Sequence, residues 1–332
     1  MCSLQRTGDL EQLFKLEPFQ LQLLCELPSY QTFPIPKRDG SQRWIEDPNP
    51  PLKKIQRSLN LLLQGVYYFH RTDAAYGFLV NASDDSRPRT ILTNARQHIG
   101  KKYLLNVDLE DFFHQIKTER VIEIFERPPF RFPIALAEKL GQLTTYKGRL
   151  PMGAPTSPIL SNFAAIGLDE ELIKYTHEQL QGKFTRYADD MVFSCDDVID
   201  IDETKNIWSI IESHGFVINK EKVRFYAEND PREVTGLRLT DCVELAEDYI
   251  PMLHKEIEKL HHVMEVHHRF KTLQSTVKLK EVKQMIKGHI GFARMILGEE
   301  SSIIQSLRDK YENACNPPDD FMSASWLEFN YI

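Results

Sequence analysis

The spacing of apolar residues predicts helices at both ends of the chain and a mixture of helices and strands between them. Apolar residues recur at helical spacing before residue 30 and again from Pro251 onward. Tyr103–Leu109 is a short, nearly continuous apolar run that surfaces at a carboxylate, which predicts a buried strand. Further along, the pattern predicts a helix from Ser157 to about His177 and short strands at Phe216–Ile218 and Val223–Tyr226.

Two hairpins are predicted from alternating apolar residues around turn signals. The first spans Phe33–Ile45 and turns at Asp39-Gly40, a pair that favours tight two-residue turns. The second spans Lys183–Cys195, where two β-rich runs flank an acidic pair, Asp189 and Asp190. The second hairpin therefore presents two adjacent carboxylates at its tip.

Composition narrows the classes of protein that are compatible with the sequence. The 332 residues carry 48 acidic and 41 basic side chains, a net charge of −7. We find no uncharged apolar run near the roughly 18–20 residues of a membrane span, and the N-terminus does not resemble a secretory signal. The five scattered cysteines are unsuited to a paired zinc motif and predict reduced thiols. We expect a cytoplasmic protein without a membrane partner.

Basic residues are concentrated near the C-terminus. The window 254–294 holds nine Lys or Arg against four Glu, an excess of five, so the rest of the chain carries −12. Composition alone favours an ordinary solvated helical face. The alternative is a basic surface that follows a phosphate backbone and binds it in a salt-dependent manner.

The carboxylates carry the first indication of chemistry. If the strand ending at Asp108 and the hairpin ending at Asp189 and Asp190 share one sheet, the three acids converge at its edge. Carboxylate oxygens suit Mg²⁺, and two such ions about 3.5–4 Å apart can activate a hydroxyl and stabilise a leaving oxygen. Taken alone, an Asp-Asp pair is more often a turn that caps its own backbone.

The order of three segments is more specific than the Asp-Asp pair. Asn106–Phe113, Leu150–Pro158 and Arg186–Asp190 together resemble the polymerase core of reverse transcriptases. By this resemblance Asp108, Asp189 and Asp190 are the catalytic residues and hold two Mg²⁺ ions, with Mn²⁺ as a substitute. The backbone carbonyl of Leu109 would be a further metal ligand.

The resemblance also implies residues that bind the incoming dNTP. Phe113 would stack under its sugar and reject a 2′-hydroxyl, and Met152-Gly153 would contact the nucleotide and template. Relatives usually have Gln at the position of Met152, so an amide contact is lost there. Lys222 would lie near the departing pyrophosphate, with a plain surface lysine as the alternative. Cations of the first hairpin could hold the triphosphate: Lys37, Arg38 and Arg43.

Two short signatures resemble those of retron reverse transcriptases. One is Asn94-Ala95-Arg96-Gln97-His98 ahead of the first catalytic strand, and the other is Val234-Thr235-Gly236 ahead of the basic helices. Asn94 could bond a backbone, while His98 could be a core or an RNA-contacting imidazole. The predicted RNA-binding residues are Asn94, His98, Val234, Thr235, Gly236, Lys255, Lys259, Lys283 and Lys287.

The retron resemblance implies a specific activity and specific partners. Such an enzyme copies part of its own structured non-coding RNA from a guanosine 2′-hydroxyl and leaves a branched RNA–DNA hybrid (msDNA). Its expected partners are that RNA and its product, dNTPs, a host RNase H and an effector encoded by a neighbouring gene. The expected role is anti-phage defence.

The implied fold is α+β, with a right-hand polymerase architecture of fingers, ferredoxin-like palm and mostly helical thumb. The predicted bounds are an N-terminal helical extension (1–30), fingers (31–103 and 125–155), palm (104–124 and 156–240) and an RNA-binding thumb (241–332).

Three alternatives remain open from the sequence. They are an RNA-binding scaffold without activity, a palm-fold nucleotide cyclase, and a reverse transcriptase of the group II intron or diversity-generating type. The complete set of three aspartates argues against the scaffold, and the segment Leu150–Pro158 argues against the cyclase.

Overall fold

The chain folds into two compact units that divide between Thr235 and Gly236. The computed structural model describes residues 4–37, 40–270 and 273–315. In the described residues, none of the helices combines the length and apolar character that crossing a membrane requires.

The first unit holds most of the secondary structure. Its helices are α1 Thr7–Phe14, α2 Pro18–Glu26, α3 Pro50–Tyr68, α4 Ile91–Ala95, α5 Phe112–Gln115, α6 Thr118–Glu126, α7 Ile134–Thr144, α8 Ser157–Ala164, α9 Ile166–Glu178 and α10 Ile201–Ser213. Its strands are β1 Tyr30–Pro36, β2 Gln42–Pro48, β3 Tyr103–Asp108, β4 Lys183–Tyr187, β5 Asp190–Cys195, β6 Arg224–Tyr226 and β7 Arg232–Val234. The second unit contains β8 Leu237–Leu239, β9 Val243–Glu244, α11 Tyr249–Phe270, α12 Leu273–Leu297 and α13 Ser302–Cys315.

The centre of the first unit is a four-stranded sheet with the order β4-β5-β3-β6. Its paired strands are all antiparallel. Helices α5 to α9 lie between β3 and β4 in sequence, with α8 and α9 directly before β4, and α10 lies between β5 and β6. This β-α-β-β-α-β order is the ferredoxin-like arrangement that the sequence predicts for the palm.

Helices cover the sheet because its two central strands, β3 and β5, are apolar and buried along most of their length. Leu105 of β3 and Phe193 of β5 are fully buried and join one continuous core with Leu63 of α3 and Leu160 of α8. Both strands are buried on both faces of the sheet, which explains why Tyr103–Leu109 is a nearly continuous apolar run.

Both predicted hairpins form, and two finer predictions are wrong. The first hairpin pairs β1 with β2, although Arg38 and Asp39 of its turn lie outside the described residues. The helix predicted from Ser157 to His177 is two helices that meet at Ala165. Instead of a strand at Phe216–Ile218 there is one isolated bridge from Ile218 to Leu109, because β6 takes the place beside β3.

Candidate active site

Three aspartates from separate segments meet at one edge of the sheet. Strand β3 runs antiparallel to β5 in a register that places Asp108 directly opposite Asp190. One residue further, the backbone N–H of Leu109 donates a hydrogen bond of 3.1 Å to the carbonyl of Asp189. The turn before these acids is tight, since Ala188 takes a left-handed φ of 61°. The convergence predicted from the sequence is therefore present.

The electrostatics of this edge disfavour three negative charges. Crowding by protein atoms raises the pKa of Asp190 to about 7, and the charges of Asp189 and Asp108 add to the rise. Burial likewise raises the pKa of Asp189, again with a contribution from Asp108. Carboxylates that raise one another's pKa are relieved by a bound cation, and perturbed groups of this kind are typical of functional sites.

Lys222 already supplies one positive charge to the cluster. Its ammonium donates to both carboxylate oxygens of Asp108, at 2.9 and 3.0 Å. Partial burial opposes the charged form, but the hydrogen bond to Asp108 and the charges of Asp189 and Asp190 raise the pKa of Lys222 overall. Lys222 is thus held at the carboxylate of Asp108, although 57% of its side chain is exposed.

The carboxylate oxygens at this edge are the kind of ligand that a divalent cation binds, although the carboxylates are not arranged around a single metal position. Within residues 4–37, 40–270 and 273–315, no group of three or more His, Cys, Asp or Glu side chains is arranged to hold a metal ion. Asp108, which would be one ligand, is occupied by the ammonium of Lys222. Hard oxygen donors at one edge, two of them with raised pKa values, nevertheless match what Mg²⁺ requires.

A cavity of about 630 Å³ opens in front of the aspartates, within the first unit. It is lined by Asp108 and Asp189 together with five of the predicted nucleotide-binding residues: Lys37, Arg43, Phe113, Met152 and Lys222. This volume lies in the range of small-molecule sites. Arg38 lies outside the described residues, and Gly153 is adjacent to the cavity without lining it.

Gly153 shapes the wall of this cavity through its backbone conformation and its lack of a side chain. It has φ +127°, and an added Cβ would lie 2.7 Å from Ile45 Cγ2 and 3.0 Å from the carbonyl of Glu46. The neighbouring carbonyl of Met152 accepts a 2.7 Å hydrogen bond from the N–H of Glu46. A glycine here therefore lets the segment approach β2 closely enough to form the cavity wall.

Sequence reasoning missed a second aromatic residue in the cavity. The ring of Phe78 lies 5.8 Å from that of Phe113, between centroids, and Phe78 takes a φ of +61°, which is rare for a bulky residue. The preceding Gly77 packs directly on the turn that carries Asp189 and Asp190, where an added Cβ would lie 2.4 Å from the backbone N of Ala188. No local pattern in the sequence identifies this contact.

The first retron-like signature lies in the core. Asn94 and His98 are fully buried. The ring nitrogens of His98 are each 2.7 Å from a hydroxyl, that of Ser194 on β5 and that of Thr185 on β4. This placement favours a structural role, fixing the two strands that carry the acidic turn, over direct contact with RNA.

The second signature forms a strained turn. Val234 is buried at the end of β7, and the next two residues take left-handed conformations, Thr235 with φ 49° and Gly236 with φ 80°. The glycine is required there because it adopts positive φ without a steric penalty. The role of this turn in binding RNA stays a prediction.

The predicted RNA-binding lysines lie on the helices of the second unit. Lys255, Lys259 and Lys287 are exposed, and Lys283 is half-buried. Lys259 pairs with Glu256 at 2.6 Å, and the ammonium of Lys287 lies 5.9 Å from the ring centre of Tyr311. Their role in binding RNA stays a prediction.

Comparison with known proteins identifies the family. Residues 35–239 match the family "Reverse transcriptase (RNA-dependent DNA polymerase)". The Retron Ec83 reverse transcriptase of Escherichia coli is 30% identical over 295 residues, which cover 85% of this chain and 86% of that protein. The Retron Mx65 reverse transcriptase of Myxococcus xanthus is 31% identical over 250 residues, 68% of this chain and 56% of that protein. The chain belongs to the reverse transcriptase family and, within it, to the retron type.

Two further similarities are partial. The Retron Ec86 reverse transcriptase of Escherichia coli is 34% identical over 179 residues, 53% of each chain. A solved structure of telomerase from Candida albicans with a fragment of telomeric RNA gives a TM-score of 0.47 at 15% identity. It covers 91% of this chain and 58% of the telomerase chain. This chain therefore spans little more than half the length of several proteins that it matches.

Proposed function

We propose that this protein is an RNA-directed DNA polymerase of a retron. It would copy part of its own structured non-coding RNA from a guanosine 2′-hydroxyl, leave a branched RNA–DNA hybrid (msDNA) and act in anti-phage defence. The observation that carries the proposal is the register of β3 and β5, which sets Asp108 opposite Asp190, beside a cavity that Asp108 and Asp189 line. Membership of the retron type supports the choice of RNA template.

The cluster of carboxylates suits the transfer of a nucleotide. Asp108, Asp189 and Asp190, with the carbonyl of Leu109, would hold Mg²⁺, or Mn²⁺ in its place. When bound, such ions neutralise charge on the phosphates and lower the pKa of a hydroxyl nucleophile. In the reaction the primer hydroxyl oxygen bonds to the α-phosphorus of a dNTP, and the bond to the β-phosphate breaks to release pyrophosphate.

The remaining lining residues would hold the dNTP in position. The cations Lys37, Arg43 and Lys222 line the same cavity as the carboxylates and would bind the triphosphate. Phe113 packs on Phe78 and would form the floor under the sugar, so that a 2′-hydroxyl has no room. In this scheme Lys222 leaves Asp108 for the departing pyrophosphate.

The test of catalysis is substitution of the acids at the turn. Asp189→Asn and Asp190→Asn should each abolish dNTP incorporation on an RNA template while RNA binding and the unfolding transition persist. Asp202→Asn is the matched control, because its side chain is 84% exposed on α10. Continued incorporation by the purified double variant would refute the assignment and leave an RNA-binding scaffold.

The test of the product is direct. Protein purified from its native host and treated with ribonuclease should release DNA that remains joined to a short RNA through a 2′-linkage, which sequencing detects. DNA without such a branch would point to another kind of bacterial reverse transcriptase.

Phe113→Ala should raise incorporation of ribonucleotides relative to dNTPs, whereas Phe69→Ala, at a residue 81% exposed, should not.

A further inference from the structure

A second cavity in the first unit is strongly cationic. It has a volume of about 590 Å³ and shares no lining residue with the cavity at the aspartates. Four cationic side chains line it, Arg87, Arg89, Arg96 and Lys183, against one carboxylate, Asp73. In a chain whose net charge is −7, such a local excess of positive charge is unusual. Concave basic surfaces concentrate anionic ligands.

The single carboxylate does not neutralise the cavity. Asp73 is already bound by Arg89, through its side chain at 3.2 Å and its backbone carbonyl at 2.7 Å. No salt bridge joins Arg87, Arg96 or Lys183 to an acidic group in the part of the chain that the structure describes. Three exposed cations are therefore available to a ligand.

The buried side chain of Arg89 forms a fixed part of the cavity wall. Only 7% of the residue is exposed, its guanidinium stacks on Tyr76 at 4.6 Å, and its Nε is buried without a hydrogen-bond partner. A buried arginine fixed by an aromatic ring is pre-organised, so little conformational entropy is lost when it meets an anion. The positive charge at this wall is thus permanent and fixed in place.

Neutral hydrogen-bonding groups surround the cations. Ser86, Thr93 and Gln97 also line the cavity; Thr93 directly precedes the retron-like signature, and Gln97 belongs to it. Hydroxyl and amide groups can bond a 2′-hydroxyl, which is the group that distinguishes RNA from DNA. The signature therefore supports the wall of this cavity, although its own Asn94 and His98 are buried.

The cavity lies away from the catalytic residues. Lys183, at the start of β4, and Asp189, after its end, are six residues apart, which is roughly 15–20 Å along an extended strand. A nucleic-acid strand bound at Lys183 would thus lie away from the reacting atoms. It would anchor the RNA and would not be the part that serves as primer or template in the reaction.

We propose that this cavity binds the phosphodiester backbone of RNA and anchors the RNA partner of the enzyme outside the catalytic cavity. The proposal rests on the proposed function for the identity of the ligand as RNA. The fixed guanidinium of Arg89 and the three available cations are the observations that support the site itself.

The test variant removes the three exposed charges together: Arg87→Ala, Arg96→Ala and Lys183→Ala. The control removes three exposed charges elsewhere in the same unit: Lys15→Ala, Arg127→Ala and Lys205→Ala. Both proteins are first compared with wild type by thermal unfolding. Binding is then measured by fluorescence anisotropy with a labelled RNA stem–loop and a DNA stem–loop of the same sequence, over a series of salt concentrations.

The test variant should bind the RNA stem–loop at least about tenfold more weakly, and the slope of log Kd against log salt should fall by about two. The control triple should bind as wild type does. If wild type incorporates no dNTP on the RNA that co-purifies with it, the proposed function fails, whereas the RNA-binding result stands independently.

Three results would overturn the inference. One is an RNA affinity and salt slope equal to those of wild type. Another is an equal loss in the control triple, which would show that net charge alone matters. The third is an equal loss of DNA binding, which would remove the assignment to RNA.

Discussion

Arg186 and Asp169 form a bidentate ion pair in which neither side chain is exposed to solvent. Arg186 donates from Nε at 2.6 Å and from a terminal nitrogen at 2.8 Å. Its other terminal nitrogen donates to the carbonyl of Ala188, at 3.1 Å. The pair therefore ties α9 to the turn that presents Asp189 and Asp190, and the position of these two acids depends on a charge pair behind them.

The first prediction concerns this pair. Asp169→Asn keeps the size of the side chain but leaves the charge of Arg186 buried without a counter-charge, which should cost about 3–5 kcal/mol in the free energy of unfolding. Chemical denaturation measures the loss. Asp202→Asn, at an exposed position, should stay within about 0.5 kcal/mol of wild type. A loss below about 1 kcal/mol for Asp169→Asn would show that the pair does not stabilise the turn.

The second prediction concerns pH. Burial, with a contribution from Lys183, lowers the pKa of His98 from 6.5 to about 3. The folded protein therefore keeps His98 neutral, while the unfolded chain takes up a proton below pH 6.5. The stability contributed by the neutral ring is complete above pH 6.5 and is lost as the pH falls towards 3.

Substitution separates this effect from general acid unfolding. His98→Gln should be less stable than wild type at pH 7.5, and the difference should shrink as the pH is lowered to 5, in denaturation curves taken at each pH. His177→Gln, at an exposed histidine, serves as the control and should follow the wild-type curve. A constant difference between His98→Gln and wild type over this range would contradict the assignment of a neutral, buried ring.

The third prediction concerns Lys222. Since its ammonium occupies the carboxylate of Asp108, it competes with a divalent cation for that group. Lys222→Met should therefore lower the Mg²⁺ concentration that gives half-maximal incorporation and also lower the maximal rate, because the cation near the triphosphate is gone. Lys220→Met, at the exposed lysine two residues earlier, should change neither quantity. An increased Mg²⁺ requirement in Lys222→Met would show that the lysine assists metal binding.

The fourth prediction concerns a glycine outside all the recognised motifs. Gly77→Ala places a methyl group 2.4 Å from the backbone of Ala188, so the acidic turn must move. A displacement of about 1 Å can cost roughly a hundredfold in rate, and incorporation assays should show a loss of this order. Gly65→Ala in α3 meets open space and should stabilise the helix by about 0.5–1 kcal/mol without loss of activity. Full activity in Gly77→Ala would mean that the turn tolerates movement.

The sequence predicts the acidic edge because that edge depends on local patterns. A strand that ends at Asp108 and a hairpin with acids at its tip both follow from periodicity, and the convergence needs only a shared sheet. The match to the reverse transcriptase family and the β-α-β-β-α-β order confirm the polymerase fold. The division into fingers, palm and thumb at the stated residues stays a prediction.

What the sequence does not predict arises from tertiary packing. Asp169 resembles an ordinary polar residue of a surface helix, and only the approach of β4 turns it into a buried partner of Arg186. His98 is ambiguous between the core and an RNA surface until its two hydroxyl partners are seen. The contact of Gly77 with Ala188 joins residues more than a hundred positions apart, for which the local sequence carries no signal.

Met152 lines the cavity in front of the aspartates with a thioether. A thioether donates no hydrogen bond and accepts only weakly, so this part of the wall would offer dispersion and shape to a base placed against it. Discrimination among the four bases at this wall would then come from pairing with the template. Methionine should therefore exclude base analogues that match the natural shape but lack hydrogen-bonding groups less strictly than a glutamine would.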